Sequence, residues 1–139
     1  MPVTKTTSPT GHPGYSETLK CTSESTEAAR RLVRTALATW DLEALVDDAV
    51  LIVSELVTNA VRHTPSLLIR VSITRSAPGL VRIDVVDRSQ RPPLRRRTDE
   101  YSENGRGLTL VDRLTAHWGS DPLPFGKRVW AVLAEESGA

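Results

Sequence analysis

The segments LLIRVSITR (67–75) and LVRIDVVD (80–87) alternate apolar and polar residues on either side of SAPG. Alternation at period two marks a strand with one buried face. Pro-Gly between two such runs is a hairpin signal. The chain is thereby committed to an antiparallel pair whose apolar face needs a cover. A cover lies just upstream. Leu42, Leu45, Val46, Ala49, Ile52, Val53, Leu56 and Ala60 recur at three- and four-residue spacing, as in a helix that packs on a sheet. Asp41 is the expected cap at its start. Thr64-Pro65 ends it near His63, because a residue before proline avoids the α region.

The flanks extend this layout. YSETLKC (15–21) reads as a weak strand. The stretch 22–40 reads as a helix capped by Ser23 or Ser25, with Glu24 and Glu27 in a first turn that favours anions. Ala28, Leu32, Ala36 and Leu37 form its apolar stripe, and Arg30, Arg31 and Arg34 a basic face. That face is either simply solvated or a partner surface. Residues 88–104 show no helical or strand period and read as a lid loop, in which Arg95, Arg96 and Arg97 either grip an anion or are solvated. LTLVDRLTAHW (108–118) reads as a third helix with Leu108, Val111 and Leu114 on one face. GSDPLPFG reads as a turn, and KRVWAVLAEE (127–136) as a closing strand. The expected fold class is α+β: a two-layer α/β sandwich in which three main helices cover one face of a mixed, mostly antiparallel sheet. Residues 1–14, rich in Thr, Pro and Gly, are expected to be a disordered tail, and 15–136 a single domain.

Composition narrows the function classes. With 139 residues, 39% hydrophobic and 25% charged, one core is the natural expectation. The net charge of +1 and the few aromatic rings argue against direct nucleic-acid binding. No run of 18 apolar residues suggests a membrane span. The lone Cys21 allows no internal disulfide and suits a reducing compartment. With no apolar leader visible, the expected location is the cytoplasm.

Polar groups inside apolar stretches locate the chemistry. Glu55 and Asn59 lie four apart in LIVSELVTNAVRHTPS, and so on one helix face. A carboxylate and an amide are either a solvated edge or oxygen donors suited to Mg²⁺ shared with a phosphate. GRGL (105–108) sets two glycines at a loop-to-helix junction, where backbone N–H groups and the helix dipole can meet an anion. Asp87 ends an apolar strand. It either opens a loop or accepts from a ligand amine.

The order SELVTNAVRHT, strand-end Asp, lid and GRGL resembles the Bergerat-type (GHKL) ATP-binding domain of gyrase, histidine kinases and MutL. The resemblance spans about residues 15–135. VSELVTNAVRH, GRGLTLVDRLTAHWG and GKRVWAVL are similar to the single-domain serine-kinase anti-sigma factors, a set of ATP-binding regulators abundant in actinomycetes. The resemblance implies roles. Glu55 activates a partner's serine hydroxyl, as the catalytic residue of a serine/threonine protein kinase. Asn59 holds Mg²⁺ against ATP. Asp87 accepts from the adenine amine. Gly105, Gly107 and Leu108 cradle phosphates. It implies as partners an RNA polymerase sigma factor and a STAS-type anti-anti-sigma factor. It further implies a homodimer paired at a sheet edge, for which the first strand is available. The alternative within the same fold is an inactive module that sequesters its partner with weak or no ATP binding. Three positions depart from the pattern. Ser89 and Arg91 stand where the family has glycines, and Arg128 where a threonine is common. Arg128 is expected to be able to cross the pocket and pair with Asp87.

Overall fold

The computed structural model describes residues 4–7, 12–20, 22–63, 68–87 and 114–135. The strands among them are β1 (Thr4–Thr7), β2 (Pro13–Lys20), β3 (Leu68–Ala77), β4 (Leu80–Asp87), β5 (His117–Leu123) and β6 (Gly126–Ala134). They form one sheet in the order β1-β2-β3-β4-β6-β5. Each described pairing is antiparallel. The hairpin expected at SAPG is present. Gly79 takes φ +73° after Pro78, the conformation that a Pro-Gly turn of type II requires of its third residue.

Parity sorts the side chains. Ile69, Val71 and Ile73 of β3, Val81, Ile83 and Val85 of β4, and Val129, Ala131 and Leu133 of β6 share one face and are buried. Helices α1 (Ser25–Thr39) and α2 (Val46–His63) lie on that face. α1 contributes Ala29, Leu32, Val33, Ala36 and Leu37, and α2 contributes Ala49, Ile52, Val53, Leu56, Val57 and Ala60. Burying each leucine or isoleucine contributes about 1.5–3 kcal/mol, so this interlayer core holds the helices down. The two-layer α+β class stands, with two α-helices among the described residues. Of the expected third helix, only Leu114 is described as helical, and it packs against the core.

The structure departs from the sequence reading at several joints. Asp41 does not cap α2. It adopts φ 57° and ends α1 instead. Its N–H donates to Ala38 O, and the N–H of Leu42 donates to Leu37 O at 2.8 Å. This is the paired bonding of a Schellman stop, with Leu42 and Leu37 buried together. A short 3₁₀ turn, Glu43–Leu45, then leads into α2. Nor does a serine cap α1. Glu24 holds the N-cap position without a side-chain bond. Buried Ser25 instead donates its hydroxyl to Lys20 O and accepts from the Thr22 N–H, which ties β2 to the helix. Strand β1 forms within the stretch 1–14 that composition assigned to a tail. It takes the outer place in the sheet and pairs with residues 13–16 of β2, while Glu17–Lys20 have no described strand on that side.

His117 and Trp118 were expected in a helix and 119–126 in a turn; 117–123 is instead an edge strand. The face of the sheet away from the helices explains why it pairs there. The Trp130 indole donates to Asp121 Oδ2 at 3.1 Å across the β5–β6 ladder, and His117 meets the Trp130 ring edge-on. The Arg82 guanidinium lies over that ring, 4.7 Å from its centroid. Gly119 makes the fit possible, because a Cβ there would come within 2.7 Å of the indole. Gly119→Val is therefore expected to lower stability by about 1–3 kcal/mol through overpacking. Thermal denaturation followed by tryptophan fluorescence checks this, and an unchanged melting temperature would show that the indole is free to move aside.

Candidate functional site

Register defines one end of the molecule. Asp87, the last residue of β4, pairs with Ile69 near the start of β3 and with Lys127 near the start of β6. Helix α2 also finishes here. Only residues 64–67 separate His63 from Leu68, a reach of at most about 18 Å. Asn59 lies one turn before that helix end, and Glu55 one turn before Asn59, about 6 Å further along the axis. The strand-end acid and the C-terminal half of α2 are thus gathered at one end of the helix-covered layer.

Burial distinguishes the three side chains. Asp87 is 3% exposed and Asn59 8%. Glu55 is only partly buried, and its side chain makes no ion pair or hydrogen bond among the described residues. Asp87 follows the inward parity of Val81, Ile83 and Val85, so its carboxylate faces the helix layer and not the open face. Asn59 Oδ1 is buried with no hydrogen-bond partner among the described residues. A buried acceptor left unpaired costs about 1–3 kcal/mol, which makes it unusual in a settled core. An amide oxygen of this kind would be satisfied by ligating a hard cation or by accepting from a water bound to one. No cluster of three or more His, Cys, Asp or Glu that could hold a metal occurs among the described residues. The buried Asn59 oxygen fits a Mg²⁺ otherwise held by phosphate and water, as in phosphate-bridging sites.

The neighbouring contacts support α2. Arg30 of α1 donates from Nε to Ser54 Oγ at 2.8 Å, and Ser54 donates in turn to Val50 O. Glu27 lies 3.5 Å from Arg30 and 3.7 Å from Arg34. Arg30 thus clasps the helix one residue from Glu55, so part of the basic face is engaged.

The expectation for Arg128 fails. It stands opposite Val86, on the open face, and its Nε lies 3.6 Å from Asp84 Oδ2. The sheet separates it from Asp87. The residue across from Asp87 on the helix side is Lys127, which the sequence reading passed over. The alternation of Val129, Ala131 and Leu133 already signals it, since counting back by twos from buried positions reaches 127 and not 128. Ser89, Arg91, Gly105, Gly107 and Leu108, with the lid arginines and Cys21, lie outside the described residues.

No helix among the described residues is long and apolar enough to cross a membrane. Comparison with curated proteins returns no match. The family model of the histidine kinase-like ATPase domain matches residues 19–132. That span holds Glu55, Asn59, Asp87 and the glycines at 105 and 107, so the chain belongs to the histidine kinase-like ATPase domain family, the GHKL type of ATP-binding domain.

Proposed function

We propose that this protein is a regulatory switch of the anti-sigma-factor type. It binds ATP with Mg²⁺, holds an RNA polymerase sigma factor inactive, and releases it to a STAS-type anti-anti-sigma partner whose serine it phosphorylates. The observation that carries the nucleotide part is the buried, unpartnered Asn59 Oδ1 at the end of the fold that also holds Asp87. The partner assignments rest on the similarity of VSELVTNAVRH, GRGLTLVDRLTAHWG and GKRVWAVL to single-domain serine-kinase anti-sigma factors.

Each residue has a task in this reading. Asp87 accepts from the base amine, and Asn59 holds the cation. The backbone at Gly105, Gly107 and Leu108 takes the phosphates, and Glu55 removes the proton from the attacking serine hydroxyl. Mg-ATP when bound supplies a transferable phosphoryl group and a cation that offsets its charge. A phosphate placed on the partner's serine adds charge to a packed interface and weakens the complex, which resets the switch.

The test mixes the purified chain with Mg-ATP, candidate STAS proteins and sigma factors. The reading fails if no nucleotide binds, no serine is modified and no sigma factor is retained. Within it, Asp87→Asn exchanges an acceptor-only carboxylate for an amide that can turn its N–H₂ toward the base. Loss of a charged hydrogen bond of about 1.5–3 kcal/mol corresponds to roughly 10- to 150-fold weaker ATP binding. Calorimetric titration checks this; an unchanged Kd would show that the base sits elsewhere.

A further inference from the structure

We propose that Lys127 reads the nucleotide base beside Asp87, and that the pair makes the site accept guanine as well as adenine nucleotides. This rests on the nucleotide reading given above.

The two residues are direct cross-strand partners in the antiparallel β4–β6 ladder. Opposed residues of this kind project from the same face, with Cβ atoms about 4.5–5.5 Å apart. That face is the helix side, as the buried Val85–Val129 and Ile83–Ala131 pairs on the same ladder show. Lys127 is partly buried, and its ammonium forms no ion pair among the described residues. Its flexible four-carbon stem begins at the second residue of β6, at the end of the sheet where Asp87 finishes β4. Arg128 cannot take this role from the other side of the sheet, where it is engaged with Asp84.

The chemistry follows from the donor inventory. A carboxylate only accepts and an ammonium only donates. Side by side they offer an acceptor and a donor to one edge of a base. Adenine presents an amine donor beside the N1 acceptor. Guanine presents the O6 acceptor beside the N1–H and the 2-amine donors. Adenine sets its amine on the carboxylate and N1 on the ammonium; guanine needs the reverse, O6 on the ammonium and N1–H on the carboxylate, which the flexible lysine stem and a base shifted along its edge supply. Without the lysine, guanine O6 would meet only the Asp87 carboxylate, acceptor against acceptor, and that repulsion rejects guanine. The ammonium removes it and leaves the adenine contact intact.

The experiment measures Mg-ATP and Mg-GTP binding to the full chain by calorimetry, for the unmodified protein, Lys127→Thr and Lys127→Met. The unmodified chain is expected to bind the two nucleotides within about tenfold of one another. Both substitutions are expected to weaken GTP at least tenfold more than ATP, since a guanine acceptor left facing a carboxylate costs more than one unit of 1.4 kcal/mol. Circular dichroism melts show which variants fold. Methionine keeps the length of the stem and threonine suits a strand, so either one is sufficient. If ATP binds and the ATP:GTP ratio is the same with and without Lys127, or if the unmodified chain rejects GTP by more than tenfold, the lysine assignment is wrong and the nucleotide reading survives. If neither nucleotide binds the unmodified chain, both are overturned.

Discussion

Asn59→Leu protein is expected to lack the Mg-ATP-dependent rise in melting temperature expected of the unmodified chain, and to be no less stable than that chain in the absence of nucleotide. The two halves of this result come from one atom. Asn59 is 8% exposed, and its Oδ1 accepts no hydrogen bond among the described residues. Leucine has nearly the same shape and brings no polar atom into the layer. Removing an unpaired buried acceptor relieves a cost of about 1–3 kcal/mol, so the nucleotide-free variant is at least as stable. A ligand at a hundred times its Kd stabilises by about 2.7 kcal/mol, which for a chain of this size raises the melting temperature by roughly 5–10 °C. Leucine cannot hold a cation, so that rise disappears. Thermal denaturation with and without Mg-ATP measures both halves together. A variant that melts lower without nucleotide would mean that the amide holds the fold together. One that keeps the full rise would mean that the cation is held elsewhere.

The same residue shows how much of the site was legible in the sequence. Asn59 and Glu55 stand out because a 3.6-residue apolar stripe makes an intruding polar pair visible, but their unequal burial, Asn59 at 8% exposed and Glu55 only partly buried, was not legible from the stripe. Asp87 was legible for the matching reason in a strand, where period two assigns it to the inward set with Val85. The hairpin and the two helices are local, strongly periodic signals. The misreadings share a different character. Asp41 carries the composition of an N-cap, yet its own backbone is left-handed and serves the preceding helix. Only the bonds to Leu37 and Ala38 decide between the two. HWGSDPL contains glycine and proline and looks like a turn. It is a strand because β6 supplies the partner groups and Trp130 packs over Gly119. Tertiary pairing overrode local propensity there. Arg128 was misplaced by one position, and a shift of one in a strand moves a side chain to the opposite face. In this case it moved the expected cation from Asp87 to Asp84 and put Lys127 in its place.

Glu55→Ala is expected to abolish phosphoryl transfer to a partner serine while leaving nucleotide affinity within about threefold. The separation follows from where Glu55 stands. It lies one helical turn from Asn59 toward the middle of α2 and is less buried, with its carboxylate bonded to no described residue. A group that held the nucleotide ground state would lower affinity when removed. A group that meets the incoming hydroxyl only as it attacks would not. Removing a positioned general base slows transfer by about 10²- to 10⁴-fold, and alanine adds no new charge at the site. The nearby support is untouched, because Arg30 holds α2 through Ser54 and not through Glu55. Transfer of labelled phosphate to a STAS protein, run beside calorimetric ATP binding, reads the two quantities separately. Equal loss of both would place Glu55 in nucleotide or metal binding. Transfer that persists at the original rate would remove it from the chemistry. If the unmodified chain binds ATP and retains a sigma factor but transfers no phosphate, Glu55 has no hydroxyl to serve and the chain acts by sequestration alone.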